Sequence, residues 1–387
     1  MLSEFVMQMR PYFGDAERTA ILKYNFEDAF LTEFKETEKF ENYLANELGV
    51  ECTTAVNNGT IALSIAALAV GIAPEDEVIV PNFTMIATPN AMKLIGAKPV
   101  FSDIELESWC IDREGIFEKI TKKTKAVVLV AANGRYPSYD VDELRVELNN
   151  MGIQLIEDAA QSLGSSYPDG SSIGTKGNVG TLSFSAPKII STGQGGLVFS
   201  RDANIVSSAA KIKDFGREGG GGDMHPTFGI NSKFTDLQAL VGLAQLEKLE
   251  LRKTRRKEQN ILYQAGLAEL SGLGIPKHDF EHTTPWFSEI LIEHRDGLAA
   301  YLKSKNIGTR SVYPEINKQI LYNSPNHFFN SHFISEHGLW LPSHMGVTNE
   351  MIKLICDEIK QFINTHQKPS ATDLPWSPEG IGYHETA

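Results

Sequence analysis

Residues 125–161 read KAVVLVAANGRYPSYDVDELRVELNNMGIQLIEDAAQ and decide the fold class. A β-branched run at 125–130 precedes a helical pattern at 139–151, which opens with acids and closes before a glycine. A second apolar run follows at 154–157. A strand, a helix and a strand in this order are typical of a mainly parallel sheet with helices on both faces. The sequence therefore predicts an α/β protein whose ligands bind at the carboxyl ends of its strands.

The same alternation continues on both sides of this stretch. We predict a helix at 60–70 and further strands at 77–81, 98–103, 181–184 and 196–199. A proline-free stretch at 235–270 predicts one long helix that leads out of a large domain. After it we predict a strand at 286–292 and helices at 296–305 and 349–364. We therefore expect a large domain at 1–250, a smaller C-terminal α/β domain at 251–366 and a tail without periodicity at 367–387.

Composition and charge exclude several classes of protein. The 387 residues carry 36 Lys+Arg against 49 Asp+Glu, and the resulting net charge of −13 repels a nucleic-acid backbone. The three cysteines lack the spacing of a zinc site, so we expect no metal ion. No apolar run approaches the roughly 18 residues of a membrane span, and the N-terminus does not resemble a signal peptide. We therefore expect a cytoplasmic protein that binds neither nucleic acid nor a membrane.

A candidate phosphate site lies between a strand-like segment that ends at Val56 and a helix that begins at Thr60. The turn between them contains Asn57, Asn58 and Gly59. Backbone N–H groups at a helix start, together with the Thr60 hydroxyl, can bind a phosphate, and glycine allows close approach to the backbone. The same residues also fit an ordinary turn in which asparagine and threonine cap the helix.

A candidate partner for a cation is Asp158, which follows the apolar run at 154–157. A half-buried aspartate is costly unless it pairs with a positive charge, and a pyridinium nitrogen would supply one. Gln161 lies three residues further on and could hydrogen-bond a phenolic oxygen of the same ring. The alternative is that Asp158 caps the helix that follows it.

A candidate nucleophile is Lys188, the single charged residue in the segment SFSAPKIISTGQGG at 183–196. A lysine desolvated between two strands would have a lowered pKa and could attack an aldehyde. Ser183, five residues earlier, could donate to a phosphate. Taken alone, Lys188 also fits a solvated loop lysine.

The phosphate-binding turn, the aspartate for a ring nitrogen and the lone lysine are together the parts that pyridoxal phosphate requires. The chain resembles the fold-type I aminotransferases and, among them, the DegT/DnrJ/EryC1/StrS family of sugar aminotransferases. The resemblance spans about residues 8–363 and includes NNGTIAL at 57–63, IEDAAQSLGSSY at 156–167 and GINSKFTDLQALVGLAQL at 229–246. The segment APKIISTGQGG at 186–196 most resembles the GDP-perosamine synthases.

The resemblance implies pyridoxal 5′-phosphate as the cofactor and a role for each candidate residue. Lys188 would hold the cofactor covalently, Asp158 would pair with its ring nitrogen, and Gln161 would contact its ring hydroxyl. The phosphate would be bound by Gly59, Thr60 and Ser183.

The resemblance also implies a homodimer with shared active sites. The family completes its phosphate site from the neighbouring subunit, with a segment that corresponds to residues 229–233 here. Asn231 or Lys233 would therefore reach the cofactor of the partner subunit, and the sequence does not choose between them.

Three departures from the family pattern concern the substrate and the cofactor ring. Met85 stands where an aromatic residue commonly stacks on the ring, and Phe83 could take its place. Gln194 replaces a glutamate in the glycine-rich segment after Lys188. The usual histidine after the third strand is absent, and the segment there holds Asn133 and Arg135.

The implied reaction transfers an amino group from L-glutamate to a nucleotide-linked 4-keto-6-deoxy sugar, as in O-antigen or other polysaccharide biosynthesis. Other acceptors remain open: a 3-keto sugar, a cyclitol ketone or a small phosphorylated ketone. A sugar-dehydrating relative would carry histidine in place of Lys188, and a non-catalytic binding or regulatory protein with this fold is a further alternative. Four loop residues are candidates for substrate binding, although each also fits a surface residue: Arg217, His225, Arg310 and Tyr313.

Overall fold

The computed structural model describes residues 4–28, 30–219, 222–268 and 270–366, and its strands belong to two sheets. The strands are β1 Cys52–Val56, β2 Glu77–Pro81, β3 Lys98–Ser102, β4 Thr124–Val130, β5 Gln154–Asp158, β6 Val179–Ser183, β7 Gly196–Ser200, β8 Leu273–Gly274, β9 Ser288–Ile292, β10 Arg310–Ser311 and β11 Gly338–Leu341.

The helices lie between and after these strands. They are α1 Asp15–Leu22, α2 Lys35–Leu48, α3 Gly59–Ala69, α4 Ala87–Leu94, α5 Arg113–Lys119, α6 Val141–Asn150, α7 Ala203–Lys213, α8 Asp236–Leu246, α9 Leu249–Leu267, α10 Arg295–Ser304, α11 Phe329–His337 and α12 Asn349–His366. Short 3₁₀ helices occur at Phe26–Asp28, Ala132–Gly134 and Ile316–Lys318. None of the helices in the described ranges is both long and apolar enough to cross a membrane.

The larger sheet has seven strands in the order β1-β7-β6-β5-β4-β2-β3. Only β7 runs antiparallel to its neighbours, β1 and β6, and the other pairings are parallel. The predicted α/β class with a mainly parallel sheet is therefore confirmed. Parallel strands need crossover connections, and the helices that follow β1, β2 and β4 supply them.

Strands β4 and β5 show why this sheet is buried on both faces. Val127, Leu129 and Leu155 pack into one hydrophobic cluster, whereas Val128 and Ile156 pack into another. Successive side chains of a strand point to opposite faces, so each face has a core of its own. These five residues are at most 2 % exposed, and burial of each such side chain contributes roughly 1.5–3 kcal/mol. The polar side chains of β4 and β5 consequently lie at the ends of these strands.

The smaller sheet has four antiparallel strands in the order β10-β11-β9-β8. Its core includes Ile290 and Leu339 from the strands and Ile355 from α12, all of them fully buried. This sheet lies within the predicted small domain, but the boundary at residue 250 stays a prediction. The predicted tail at 367–387 lies outside the described residues.

The predicted single helix at 235–270 is wrong, because α8 and α9 are separate helices with Glu247 and Lys248 between them. Helix α8 packs against α1 and α2, whereas α9 packs against α12. Leu246 and Leu249 flank the break, and both are 2 % exposed. Two sets of packing partners therefore require two helix axes, although no proline or glycine marks the change of direction.

Candidate active site

The carboxyl ends of β5 and β6 bring the predicted site residues to one edge of the large sheet. Asp158 ends β5 and pairs with Thr181 of β6, which itself ends at Ser183. Ser183 pairs in turn with Gly196 of β7. A β-carbon built on Gly59, the first residue of α3, would lie 2.7 Å from the Ser183 β-carbon. Residues far apart in the sequence are therefore neighbours here, as expected for this fold.

Asp158 is buried, with 5 % of its surface exposed. Its Oδ2 accepts a hydrogen bond from Thr88 Oγ1 at 2.7 Å, and its Oδ1 accepts one from the Ala160 N–H at 3.2 Å. Burial raises the pKa of Asp158, while the Thr88 hydroxyl and the charge of Lys188 partly oppose that increase. The carboxylate would thus gain from a further cation at this position.

Lys188 lies in the loop between β6 and β7, with its amine 4.3 Å from the centre of the Trp286 ring. The Trp286 indole N–H donates to the Pro187 carbonyl at 2.8 Å, which fixes the ring beside the lysine. Burial lowers the pKa of Lys188 to about 8, and the charge of Asp158 only partly opposes this. An amine with that pKa is about half neutral at pH 8, whereas an ordinary lysine is less than about 1 % neutral.

Two buried lysines, both less exposed than Lys188, show that burial alone does not make a nucleophile. Lys176 is 8 % exposed and Lys213 is 5 % exposed. Lys176 pairs with Asp169 at 2.8 Å, and its pKa is raised. Lys213 pairs with Glu41 at 3.3 Å. Lys188, in contrast, has no carboxylate within ion-pair distance in the part of the chain that the structure describes.

The start of α3 forms a cradle for an anion. Asn58 caps the helix, since its Oδ1 accepts from the Ile61 N–H at 2.9 Å and its carbonyl accepts from the Ala62 N–H at 3.0 Å. The N–H groups of Gly59 and Thr60 precede these bonds and are available to a ligand. Asn58 therefore caps the helix, as the capping alternative expects, and the phosphate role of Gly59 and Thr60 stays a prediction.

Gln161 is held by Asn133, a buried residue with a left-handed backbone (φ +53°). The Asn133 N–H donates to Gln161 Oε1 at 2.7 Å, which leaves the Gln161 amide NH₂ as its free donor end. The Asn133 Oδ1 accepts from the Phe287 N–H at 2.7 Å. Asn133, one of the departures noted in the sequence, therefore ties Gln161 to the start of the smaller sheet.

Met85 and Phe83 occupy different surroundings. Met85 is 43 % exposed, whereas Phe83 is 2 % exposed. The Phe83 ring packs edge-on against Trp109 at 5.5 Å and tilted against Tyr313 at 6.0 Å. Phe83 is thus enclosed by aromatic neighbours, and Met85 is the one with an accessible side chain.

The four predicted substrate residues fall into two groups. Burial raises the pKa of Tyr313, Arg310 opposes the increase and Asp158 adds to it, so Tyr313 lies within electrostatic reach of the site. Arg217 pairs with Asp223 at 3.4 Å, and His225 Nδ1 lies 2.9 Å from the Phe215 carbonyl. No hydrogen bond, ion pair or ring contact between described residues joins Arg217 or His225 to Lys188 or Asp158. Gly220 and Gly221 of the same loop lie outside the described residues.

The segment with Asn231 and Lys233 packs against its own chain. Asn231 forms an isolated β-bridge with Asp214, and Lys233 forms one with Val56. The Lys233 amine also pairs with Asp214 at 2.6 Å. The Asn57 N–H donates to the Ser232 carbonyl at 3.0 Å, so the segment reaches the turn that leads into the phosphate cradle.

Three residues near the site were not predicted from the sequence: Thr88, Trp286 and, as the partner of Gln161, Asn133. Thr88 is fully buried at the start of α4, and its hydroxyl also lies 3.1 Å from that of Thr84. A threonine shortly before a helix and a second one in its first turn were the only local signal, and threonine is common at helix starts. Trp286 carries no local signal, because its contact with Lys188 spans almost a hundred residues of the chain.

The residues present fit pyridoxal phosphate. A half-neutral amine, a buried carboxylate without a full counter-charge and a free helix N-terminus beside a serine match its aldehyde, ring nitrogen and phosphate. This fold and this donor set define a pyridoxal-phosphate-dependent aminotransferase of fold type I.

Comparisons with known proteins identify the family. The model of the DegT/DnrJ/EryC1/StrS aminotransferase family matches residues 14–360, and the chain belongs to this family. GDP-perosamine synthases of Vibrio cholerae and Escherichia coli O157:H7 are both 35 % identical to it, over 85 % and 84 % of this chain and 91 % and 89 % of theirs. The solved aminotransferase TlmJ from Streptoalloteichus hindustanus matches with a TM-score of 0.87 at 27 % identity, over 94 % of this chain and all of the other.

Proposed function

We propose that the protein transfers an amino group from L-glutamate to a nucleotide-linked 4-keto-6-deoxy sugar, as a GDP-perosamine synthase does. The observation that supports aminotransfer is the Lys188 amine, whose pKa is about 8 and which lies within the field of the buried Asp158. The observation that supports the acceptor is the likeness to GDP-perosamine synthases from three organisms, at 35 %, 35 % and 31 % identity.

Each site residue has a task in this proposal. Pyridoxal phosphate supplies an electron sink for the charge left when a proton leaves the amino acid carbon. Lys188 holds the cofactor and, once freed, moves that proton with its amine. Asp158 keeps the ring nitrogen protonated, and the protonated nitrogen provides the cation that the buried carboxylate lacks.

The remaining contacts would orient the cofactor. Gly59, Thr60 and Ser183 bind the phosphate through N–H and hydroxyl groups. Gln161 donates its free amide NH₂ to the ring hydroxyl, since Asn133 occupies its oxygen. Met85 would cover the ring, because its side chain is accessible and Phe83 is enclosed.

The sugar acceptor would enter along β10. Arg310 is exposed on this edge strand, with its guanidinium 5.4 Å from the centre of the Trp340 ring. Tyr313 packs edge-on against the same ring at 4.9 Å. An exposed arginine beside the site can bind the diphosphate of a nucleotide sugar.

We expect a GDP-linked 4-keto-6-deoxymannose to be the best acceptor in a panel of keto sugars with glutamate as donor. The value of kcat/KM for it should exceed that for any other acceptor by at least about tenfold, or about 1.4 kcal/mol. The panel would include a TDP-linked 4-keto sugar, a UDP-linked 3-keto sugar and a cyclitol ketone. No turnover with any acceptor, despite cofactor binding, would instead favour the non-catalytic alternative.

A second candidate acceptor is a nucleotide-linked 3-keto sugar. The chain is 32 % identical to the UDP-2-acetamido-2-deoxy-3-oxo-D-glucuronate aminotransferase of Pseudomonas aeruginosa, over 73 % of this chain. The same panel separates the two candidates, because preference for the 3-keto sugar would reverse the expected order.

We also propose a homodimer in which residues 229–233 complete the partner's phosphate site. Phe228, which precedes Asn231 by three residues in the sequence, is 71 % exposed and would be covered by a partner. Mixing a Lys188→Ala chain with one that carries both Asn231→Ala and Lys233→Ala should restore activity. An equal mixture would reach about a quarter of the wild-type rate, since half the dimers are mixed and each has one intact site.

The control for this mixing experiment is the thermal stability of the double variant, because Lys233 also pairs with Asp214 of its own chain. Each variant alone should be folded and inactive. Continued inactivity of mixtures in which mixed dimers are detected by two affinity tags would refute the shared site, as would an active monomer in sedimentation.

A further inference from the structure

Two side chains, one from α8 and one from α9, form hydrogen bonds with the backbone of the loop that carries Lys188. The Arg252 Nη1 of α9 donates to the Ile189 carbonyl at 2.5 Å. The Gln245 Oε1 of α8 accepts from the Ser191 N–H at 3.2 Å. These two hydrogen bonds hold Ile189 and Ser191, which follow Lys188 by one and three residues.

The same two side chains bind the N-terminal segment with their other ends. The Tyr12 carbonyl accepts from Arg252 Nη2 at 2.7 Å and from Gln245 Nε2 at 2.9 Å. Glu17 accepts from Gln245 Nε2 as well, and from the Lys248 amine at 2.6 Å. The lysine loop is therefore joined to residues 12–17 through Arg252 and Gln245, although more than 170 residues separate the two segments.

This network is buried, so its members depend on one another. Arg252 is 4 % exposed and Gln245 is fully buried. Burial lowers the pKa of Arg252 to about 10, and the charge of Glu17 partly offsets it. Removal of one partner would leave a backbone carbonyl or N–H of the lysine loop without its hydrogen bond, which is unfavourable.

We propose that Arg252 is a positioning residue for Lys188 and that Gln245 is a second tie on the same loop. The Lys188 N–H donates to the Ser185 carbonyl at 3.0 Å, so the loop closes on itself before the lysine. The Ile189 carbonyl lies one residue further along the chain, and among the described residues Arg252 is the one hydrogen-bond donor to it. A shift of about 1 Å in a reacting group can cost about a hundredfold in rate, so this bond bears directly on the amine.

Helix α9 approaches Lys188 from a second side, which supports a positioning role for the whole helix. Arg256, one turn after Arg252, donates from Nη1 to the Ser343 carbonyl and lies 5.7 Å from the centre of the Phe287 ring. Phe287 stacks at 4.1 Å on Trp286, the residue beside the Lys188 amine. One helix thus fixes both the backbone after the lysine and the aromatic wall beside it.

The test compares Arg252→Met with Arg252→Lys and with Arg255→Met as a matched control. Arg255 is the neighbouring arginine of α9, and it donates to the Val347 carbonyl at 2.6 Å without contact to the lysine loop. In the cofactor-free protein, amide hydrogen exchange of residues 189–193 should accelerate at least about tenfold in Arg252→Met and remain unchanged in Arg255→Met. Gln245→Leu should accelerate exchange in the same residues.

In the loaded enzyme, Arg252→Met should lower kcat by about ten- to a hundredfold with little change in the glutamate KM. Arg252→Lys can form one of the two hydrogen bonds to the Ile189 and Tyr12 carbonyls, so its kcat should lie between the values for wild type and Arg252→Met. Unchanged exchange at 189–193, or a loss of kcat no larger than that of Arg255→Met, would overturn the proposal. This role of Arg252 rests on the proposed role of Lys188, but the exchange measurement needs neither cofactor nor turnover and so fails independently of it.

Discussion

Replacing Lys188 with alanine should abolish transamination, with a loss of at least about 10⁴-fold, the upper range for a positioned acid–base group. The variant should still bind the cofactor without a covalent bond, because the phosphate cradle and Asp158 remain. Reduction of the wild-type enzyme with borohydride, followed by peptide mapping, should place the pyridoxyl group on Lys188.

The reactivity of Lys188 depends on the protonation state of its amine. Burial beside Trp286 lowers the pKa of Lys188 to about 8. In the cofactor-free protein its modification by an amine reagent should therefore rise with pH around a midpoint near 8. Ordinary lysines should titrate near 10.4 under the same conditions. The amine loses its proton as the pH rises, so the reactive form is present above the midpoint and is lost below it.

Lys176 is the matched control for this result, since it is only 8 % exposed but is paired with Asp169 and has a raised pKa. Lys176→Ala should retain most of the activity and all of the covalent cofactor. A pyridoxyl group on Lys176 or Lys211 after reduction, or a Lys188→Ala enzyme within about a hundredfold of wild type, would contradict the assignment.

Much of the fold could be predicted because the large sheet is buried on both faces. The strands predicted at 77–81 and 125–130 contain consecutive apolar residues at 78–80 and 126–130, and the structure places strands there at Glu77–Pro81 and Thr124–Val130. The break between α8 and α9 could not be predicted, because it depends on which helices each one packs against. A helical pattern in the sequence does not show which other helices a helix will pack against.

The candidate site also combines features that the local sequence predicts with features that depend on long-range packing. Asp158 and Ser183 end strands, and these positions could be predicted from the local sequence, whereas their roles stay predictions. Trp286 and Arg252 act on Lys188 and its loop from 98 and 64 positions away in the chain. Contacts at such separations follow from the packing of the two sheets and α9, and no short motif records them.

Replacing Asp158 with asparagine should reduce the rate of transamination by at least about a hundredfold while the fold is retained, because the change removes charge but little shape. Asparagine can keep both hydrogen bonds of the carboxylate. Its oxygen can accept from the Ala160 N–H, and its NH₂ can donate to Thr88, whose hydroxyl can turn its proton toward Thr84, 3.1 Å away. What is lost is the negative charge that keeps the ring nitrogen protonated. More than about a tenth of the wild-type rate, or less than about 1.4 kcal/mol of added barrier, would contradict this role.

The stability of the cofactor-free protein should not fall along with the activity in Asp158→Asn. The folded protein raises the pKa of Asp158, so the folded state binds more protons than the unfolded state between the two pKa values. Stability therefore falls as the pH rises through that window, and at pH 7 to 8, which is above the pKa of an unfolded aspartate, the ionisable carboxyl group makes the cofactor-free protein less stable than a neutral side chain would. We expect the thermal midpoint of cofactor-free Asp158→Asn to be no lower than that of wild type at this pH.

Thr88→Val is the matched control: it leaves the charge but removes a hydrogen bond to it, so it should lower the midpoint and cost less activity. An equal loss of activity in the two variants would show that the hydrogen bond, and not the charge, is what the reaction requires.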